Sequence, residues 1–179
     1  MRAVSNEEAN DQFIAFYTTW RGKLYKAVAT WTGDRHAAED IVQEVMILVR
    51  HYWGRYTRPE ILMYRLARQQ LARHTSATPI QMDSLEQRLQ ADDLPSGPAR
   101  DLEQQLDLLA ALRQLPTRQR EVVVLTELCD LEQSTAAEIL GISVSALKTH
   151  KARGLRTLQS RMAGRMASAG ADTEGGTNA

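Results

Sequence analysis

Between Gln133 and Arg153 the chain reads QSTAAEILGISVSALKTHKAR. A helix begun after Ser143 carries Ser145, Ala146, Thr149, Arg153 and Arg156 along one side when residues advance by about 100° each. Lys148 and His150 flank that stripe. Hydroxyls, a methyl group and cations in this arrangement suit the base edges and phosphates of a duplex groove. A second group lies in YWGRYTRPE, where Tyr52, Trp53 and Tyr56 alternate with Arg55 and Arg58 around Gly54. Rings that stack on unpaired bases, beside cations for the backbone, are what a single strand requires. The same aromatics would serve equally to cap a small helical core. A basic side formed by Tyr64, Arg65, Arg68, Gln69 and Arg73 follows at once.

Enzymatic chemistry finds little support. His36, His51, His74 and His150 are scattered, and no nucleophile, base and orienting group fall together. His36 with Glu39 and Asp40 is the nearest approach to a metal-like set, and a helix N-terminus accounts for those carboxylates. The one cysteine, Cys129, excludes an internal disulfide and a thiolate-rich zinc site. No catalytic residue, metal or cofactor is therefore expected.

These groups need helices to place them. Small Ala137, Gly141 at a turn, and apolar Ile139, Leu140, Ile142 and Leu147 are the layout of a helix-turn-helix, with Ser143 as the N-cap of its second helix. Val144, Gly154, Leu155 and Leu158 fall on the buried side of that helix, and so does Lys151. Upstream, helical spacing predicts helices over Asn10–Trp20, Gly22–Trp31 and Ala37–His51, with Thr32-Gly33-Asp34 as a stop followed by a cap. The third buries Ala38, Ile41, Val42, Val45, Leu48 and Val49 and presents Asp40, Gln43, Glu44 and Arg50 opposite. Such a polar face is ordinarily just solvated. Pro59 opens a further helix at its first position. Further helices are expected over Asp101–Gln114 and Arg118–Leu128.

The 179 residues carry no net formal charge, which taken alone disfavours a nucleic-acid partner. The distribution reverses that inference. Residues 1–75 hold 11 cations against 8 acids, residues 76–107 hold 2 against 7, and residues 108–162 hold 8 against 5. Two basic blocks flank an acidic middle, and neutrality is a cancellation. The expected architecture is all-α, with two small helical domains (residues 1–75 and 100–162) and a flexible acidic linker (76–99) rich in proline that holds at most a short helical piece at Ser84–Gln90. A disordered tail covers 163–179. No apolar run is long enough to span a bilayer, and the polar start is unlike a signal peptide, so a cytoplasmic protein without membrane insertion is expected.

AAEDIVQEVMILV, MYRLARQQL, LPTRQREVVVLTEL and AAEILGISVSALKTHKARGLRTL, in that order, together resemble a bacterial extracytoplasmic-function (ECF) sigma factor, a short two-domain RNA polymerase specificity subunit of the sigma-70 family. The resemblance implies that the first block is sigma domain two, with Asp40, Gln43 and Glu44 docking on the clamp helices of the β′ subunit. It implies that Tyr52, Trp53, Arg55, Tyr56, Arg58, Tyr64, Arg65, Arg68 and Gln69 open and read the minus-ten element. The second block is then sigma domain four, touching the β flap and reading the minus-thirty-five element with Arg118, Arg120, Ser145, Ala146, Lys148, Thr149, Arg153 and Arg156. Core polymerase, promoter DNA and an anti-sigma factor are the implied partners. Leu62 stands where the family usually has tryptophan, Gln69 where it has asparagine, and His74-Thr75 where it often has two arginines, departures that bear on promoter sequence more than on fold. A stand-alone helix-turn-helix regulator is the other reading, and it leaves the acidic helix face and the aromatic loop without a task.

Overall fold

The computed structural model describes residues 6–77 and 107–171, with side chains over 6–74 and 107–163. All regular structure among them is helical: α1 (Asn6–Thr32), α2 (Arg35–His51), α3 (Pro59–Ala77), a helical stretch over 107–113, α4 (Thr117–Val123), α5 (Gln133–Leu140) and α6 (Val144–Ala171). The expected linker from residue 78 onward, its short helical piece and residues 101–106 lie outside the described residues.

Two helices expected before residue 32 are one helix of 27 residues. Gly22 does not stop it, because a glycine inside a helix costs only about 1 kcal/mol, and Phe16 before it and Leu24, Ala27, Val28 and Trp31 after it are all buried. The chain then turns at Gly33, whose φ is +73°. Asp34 caps α2, its Oδ1 accepting from the amides of His36 at 2.9 Å and Ala37 at 3.3 Å. Ile41, Val42, Val45 and Val49 of α2 pack with Met63, Tyr64 and Ala67 of α3 into the first core.

The second half builds one small core of its own and shares a larger one with the first half. In the run Val122–Leu125 all four side chains are buried. Val123 joins Ala111, Leu112, Leu115 and Leu158 in one small cluster, while Val122, Val124 and Leu125 belong to the large cluster that contains Leu24, Val28 and Tyr64. A strip buried on two sides leaves no solvated face, and the backbone widens here into a π-helical turn over Val124–Leu128 that ends with the Cys129 amide on the Val124 carbonyl at 3.0 Å.

The helix-turn-helix forms as its residue types require. Gly141 takes φ +66° after α5, and the Ile142 amide reaches back to the Ala137 carbonyl at 3.1 Å. Ser143 Oγ accepts from the Ala146 amide at 3.1 Å, the N-cap bond of α6. Leu147 and Leu158 are buried as expected, but Val144 is exposed; it opens the helix, one turn before Leu147. The inward-pointing Lys151 ends on Glu127, with Nζ 2.6 Å from Oε1. Helix α6 also continues to Ala171, beyond the expected start of a disordered tail, through Ala163, Arg165, Met166 and Ala167, all strong helix formers.

Gly154 is where α6 crosses α4: a Cβ there would lie 2.8 Å from Val123 Cγ2 and 3.4 Å from Gln119 Cβ. Gly154→Ala should therefore destabilise the chain by about 1 kcal/mol, overpacking outweighing the helix propensity gained, as read by chemical denaturation; Val123→Ala in the same chain should recover part of the loss. The hydrogen bond from Lys151 holds the Glu127 carboxyl below its ordinary 4.5. Its folded value lies below the unfolded one, so the pair's contribution is whole above pH 4.5 and is lost as pH falls through the folded value. Lys151→Met should return the Glu127 titration, followed by carbon NMR, towards 4.5, with a loss of at most about 0.5 kcal/mol of stability because the pair is part-exposed.

Candidate nucleic-acid interface and its charged surroundings

Four surfaces carry the groups singled out in the sequence. On α6, Ser145, Lys148, Thr149, Arg153 and Arg156 are exposed and Ala146 is half-buried. The hydroxyl of Thr149 donates to the Ser145 carbonyl at 3.1 Å, and that of Ser145 lies 3.1 Å from the Ser143 hydroxyl. Lys148, Arg153 and Arg156 make no ion pair among the described residues. The face is thus assembled and cationic, with its guanidiniums uncommitted. Arg118 and Arg120, expected beside it, are engaged elsewhere. Arg118 Nη1 lies 3.2 Å from Glu121 Oε2, and Arg120 Nη1 donates to the Arg113 carbonyl at 3.0 Å. Burial, and then the neighbouring Arg120 charge, lower the pKa of Arg113; burial lowers that of Arg120 too, partly opposed by Glu121. Arg113 itself runs along the turn between α1 and α2, with Cζ 3.5 Å from where a Gly33 side chain would begin.

On α2, Asp40, Gln43 and Glu44 are exposed on one side. Ile47, one turn further along the same side, is 68% exposed, the most accessible large apolar side chain among the described residues. Sequence patterning did not single it out. An isoleucine in that position breaks the helix's own division into an apolar and a polar face, and this irregularity was the available signal.

The aromatic loop divides between two roles. Trp53 is a lid on the first core, its ring 5.2 Å from those of Phe13 and Phe16. Tyr52 and Tyr56 stand edge to face at 6.4 Å, Arg55 lies 5.6 Å over the Tyr52 ring, and Tyr56 is 51% exposed. Tyr64 is fully buried, its hydroxyl beside the Cys129 thiol without a well-formed hydrogen bond. Burial raises the pKa of both groups. In this conformation Tyr64 has no path to a base.

Arg58, just before α3, and Arg65 and Arg68 on it meet the second half of the chain. Arg58 Nη1 is 2.7 Å from Glu138 Oε2 and its Nη2 donates to Thr135 Oγ1 at 2.7 Å. Arg65 Nη2 donates to the Glu138 carbonyl at 2.8 Å. Arg68 Nε lies 2.9 Å from Glu121 Oε1, and its Nη1 donates to the Ile139 carbonyl at 3.2 Å. Gln69 remains exposed. The acceptors stand 53 to 80 residues away in sequence, so no local pattern announces them. Among the described residues no group of three potential metal ligands occurs.

Comparison with known proteins bears on the fold and on the second half of the chain. Residues 105–158 match the family model for sigma-70, region 4. The chain is 25% identical over 168 residues to the ECF RNA polymerase sigma factor BldN of Streptomyces coelicolor, covering 88% of this chain and 64% of that protein's length. In fold it is similar to RpoE of Bartonella quintana, solved with the anti-sigma factor NepR, at a TM-score of 0.68, 16% identity and coverage of 85% of this chain and 97% of that one. It is also similar to CnrH, solved with the cytosolic domain of CnrY, at a TM-score of 0.63, 21% identity and coverage of 89% and 91%. Residues 105–158, built around α4 to α6, thus match a sigma-70 region 4, and the chain as a whole is similar in sequence to an ECF sigma factor and in fold to these structures.

Proposed function

We propose that this chain is an RNA polymerase sigma factor that directs the core enzyme to specific promoters and promotes DNA melting, without chemistry of its own. The outer face of α2 carries the reading. Asp40, Gln43 and Glu44 stand exposed with Ile47 uncovered beside them, a polar, acidic rim with an apolar anchor, which suits a protein partner. A DNA-binding regulator acting alone has no use for it. On this reading residues up to 75 form sigma domain two, whose α2 docks on the β′ clamp helices, and the second block forms sigma domain four, which meets the β flap. The segment between them is the connector.

The minus-ten element falls to Tyr52, Arg55, Tyr56, Arg58, Arg65, Arg68 and Gln69. Trp53 and Tyr64 act from within the core by holding that surface. The minus-thirty-five element falls to Ser145, Ala146, Lys148, Thr149, Arg153 and Arg156, with Arg118 and Arg120 supporting α4 at its edge. An anti-sigma factor of the kind that accompanies the RpoE structure is a natural partner. The protein works in the cytoplasm; no helix among the described residues is long and apolar enough to cross a membrane.

Transcription run-off with purified core polymerase on a promoter library tests the whole reading, and absence of any sigma-dependent transcript refutes it. Reversing both charges, Asp40→Lys with Glu44→Lys, should weaken core binding by about tenfold or more, mostly at low salt, with an unchanged circular dichroism spectrum. Arg153→Ala should cost about 1–3 kcal/mol in affinity for the selected minus-thirty-five duplex, measured by fluorescence anisotropy, while minus-ten opening by the holoenzyme changes less.

A further inference from the structure

Three arginines assigned to the minus-ten element, one just before α3 and two on it, are occupied. Arg58, Arg65 and Arg68 present their guanidiniums to Glu138, to the carbonyls of Glu138 and Ile139 at the end of α5, to Thr135 and to Glu121, at 2.7 to 3.2 Å. A carboxylate and the negative end of a helix offer a guanidinium the same kind of acceptor oxygens as a phosphate. Helix α5 therefore fills the place of a nucleic-acid backbone. The α6 reader is not covered in this way: Lys148, Arg153 and Arg156 stay exposed.

We propose that α5, through Glu138, is an intramolecular latch that withholds the minus-ten arginines from DNA in the free chain while leaving the minus-thirty-five face accessible. The proposal rests on the assignment of those arginines given above. A DNA strand and α5 cannot hold the same guanidiniums at once, so access to the minus-ten surface requires α5 to leave α3. The ion pairs of the latch are solvent-facing, with 46% and 47% of the Arg58 and Glu138 side chains accessible. They bias the closed form without locking it.

A built-in reporter lies beneath the latch. Cys129 is the one cysteine of the chain and fully buried. Its surroundings across the seam come from the first half: Sγ is 3.4 Å from the Lys23 carbonyl and faces the Tyr64 hydroxyl. Separation of the halves bares it to a thiol reagent.

The test compares the full chain carrying Glu138→Lys with one carrying Glu132→Lys, the same charge change on an exposed residue at the opposite end of α5. Two quantities are read: the rate at which a disulfide reagent modifies Cys129, and the affinity for a short fluorescent single-stranded DNA of random sequence. Glu138→Lys should raise both by about threefold to tenfold over Glu132→Lys, the range spanned by one or two exposed ion pairs. Adding Arg58→Ala and Arg65→Ala should abolish the gain in DNA binding and keep the fast modification. Exchanging the charges, Arg58→Glu with Glu138→Lys, should restore slow modification, which a merely destabilised chain would not do. An unchanged Cys129 rate in Glu138→Lys, or no restoration on exchange, overturns the latch and leaves the assignment of the arginines standing. A faster rate with no gain in DNA binding overturns the proposal through that assignment, because the arginines released are then not DNA ligands.

Discussion

The rest of the structure depends on the apolar strip Val122–Leu125, which is covered on both sides. Its Val123 closes the small cluster under α6, and its other three side chains complete the core begun by α1 and α3. No single helical face can do both. The π-helical turn that follows is the backbone's answer, since the wider turn shifts the register so that Cys129 and Leu131 also reach the shared core. With the strip in place, α4 lies where Gly154 lets α6 approach, and α6 is aimed with its cationic face to solvent.

The same strip decides what the charges can do. Once the halves share a core, α5 must lie along α3, and cations and acids far apart in the chain are brought within hydrogen-bond reach. The zero net charge thereby gains a structural sense. The two blocks are each basic and would repel if left as separate bodies; instead the acids of the second, Glu121 and Glu138, are placed against the cations of the first. The cations of the α6 face stay outside this pairing, and the exposed Asp40 and Glu44 of α2 take no part in it.

Features set by neighbours in the chain were readable from sequence. Asp34 and Ser143 are caps because a short polar side chain precedes a run of helical spacing, Gly141 is the turn because only glycine takes its φ freely, and the exposed side of α2 follows from where its valines and isoleucines fall. Two kinds of feature were not readable. One is competition between local and tertiary preference: Gly22 reads as a break but is carried through by buried residues on either side, Trp53 reads equally as a base-stacking group or a core cap and is the cap, and Tyr64, placed on the basic side, is drawn into the core. The other is any contact across the seam. Periodicity assigns Arg65 and Arg68 to a basic side, and the loop pattern sets Arg58 beside the aromatics, but neither can say what these guanidiniums meet.

That limit bears directly on function. A basic helix and a promoter strand make a sufficient account of the first block only while the helix is considered alone. Beside α5 the same arginines have a competing set of oxygens within their own chain, held at high effective concentration by the shared core. Under the function proposed above, binding to polymerase has to do more than locate the factor. On that reading the energy of docking α2 works against the energy that holds α5 against α3, which rests on part-exposed ion pairs and one apolar seam. A chain with the proposed latch would meet duplex DNA with one half ready and the other withheld, which suits a subunit whose melting surface is needed only beside the enzyme that uses the opened strand.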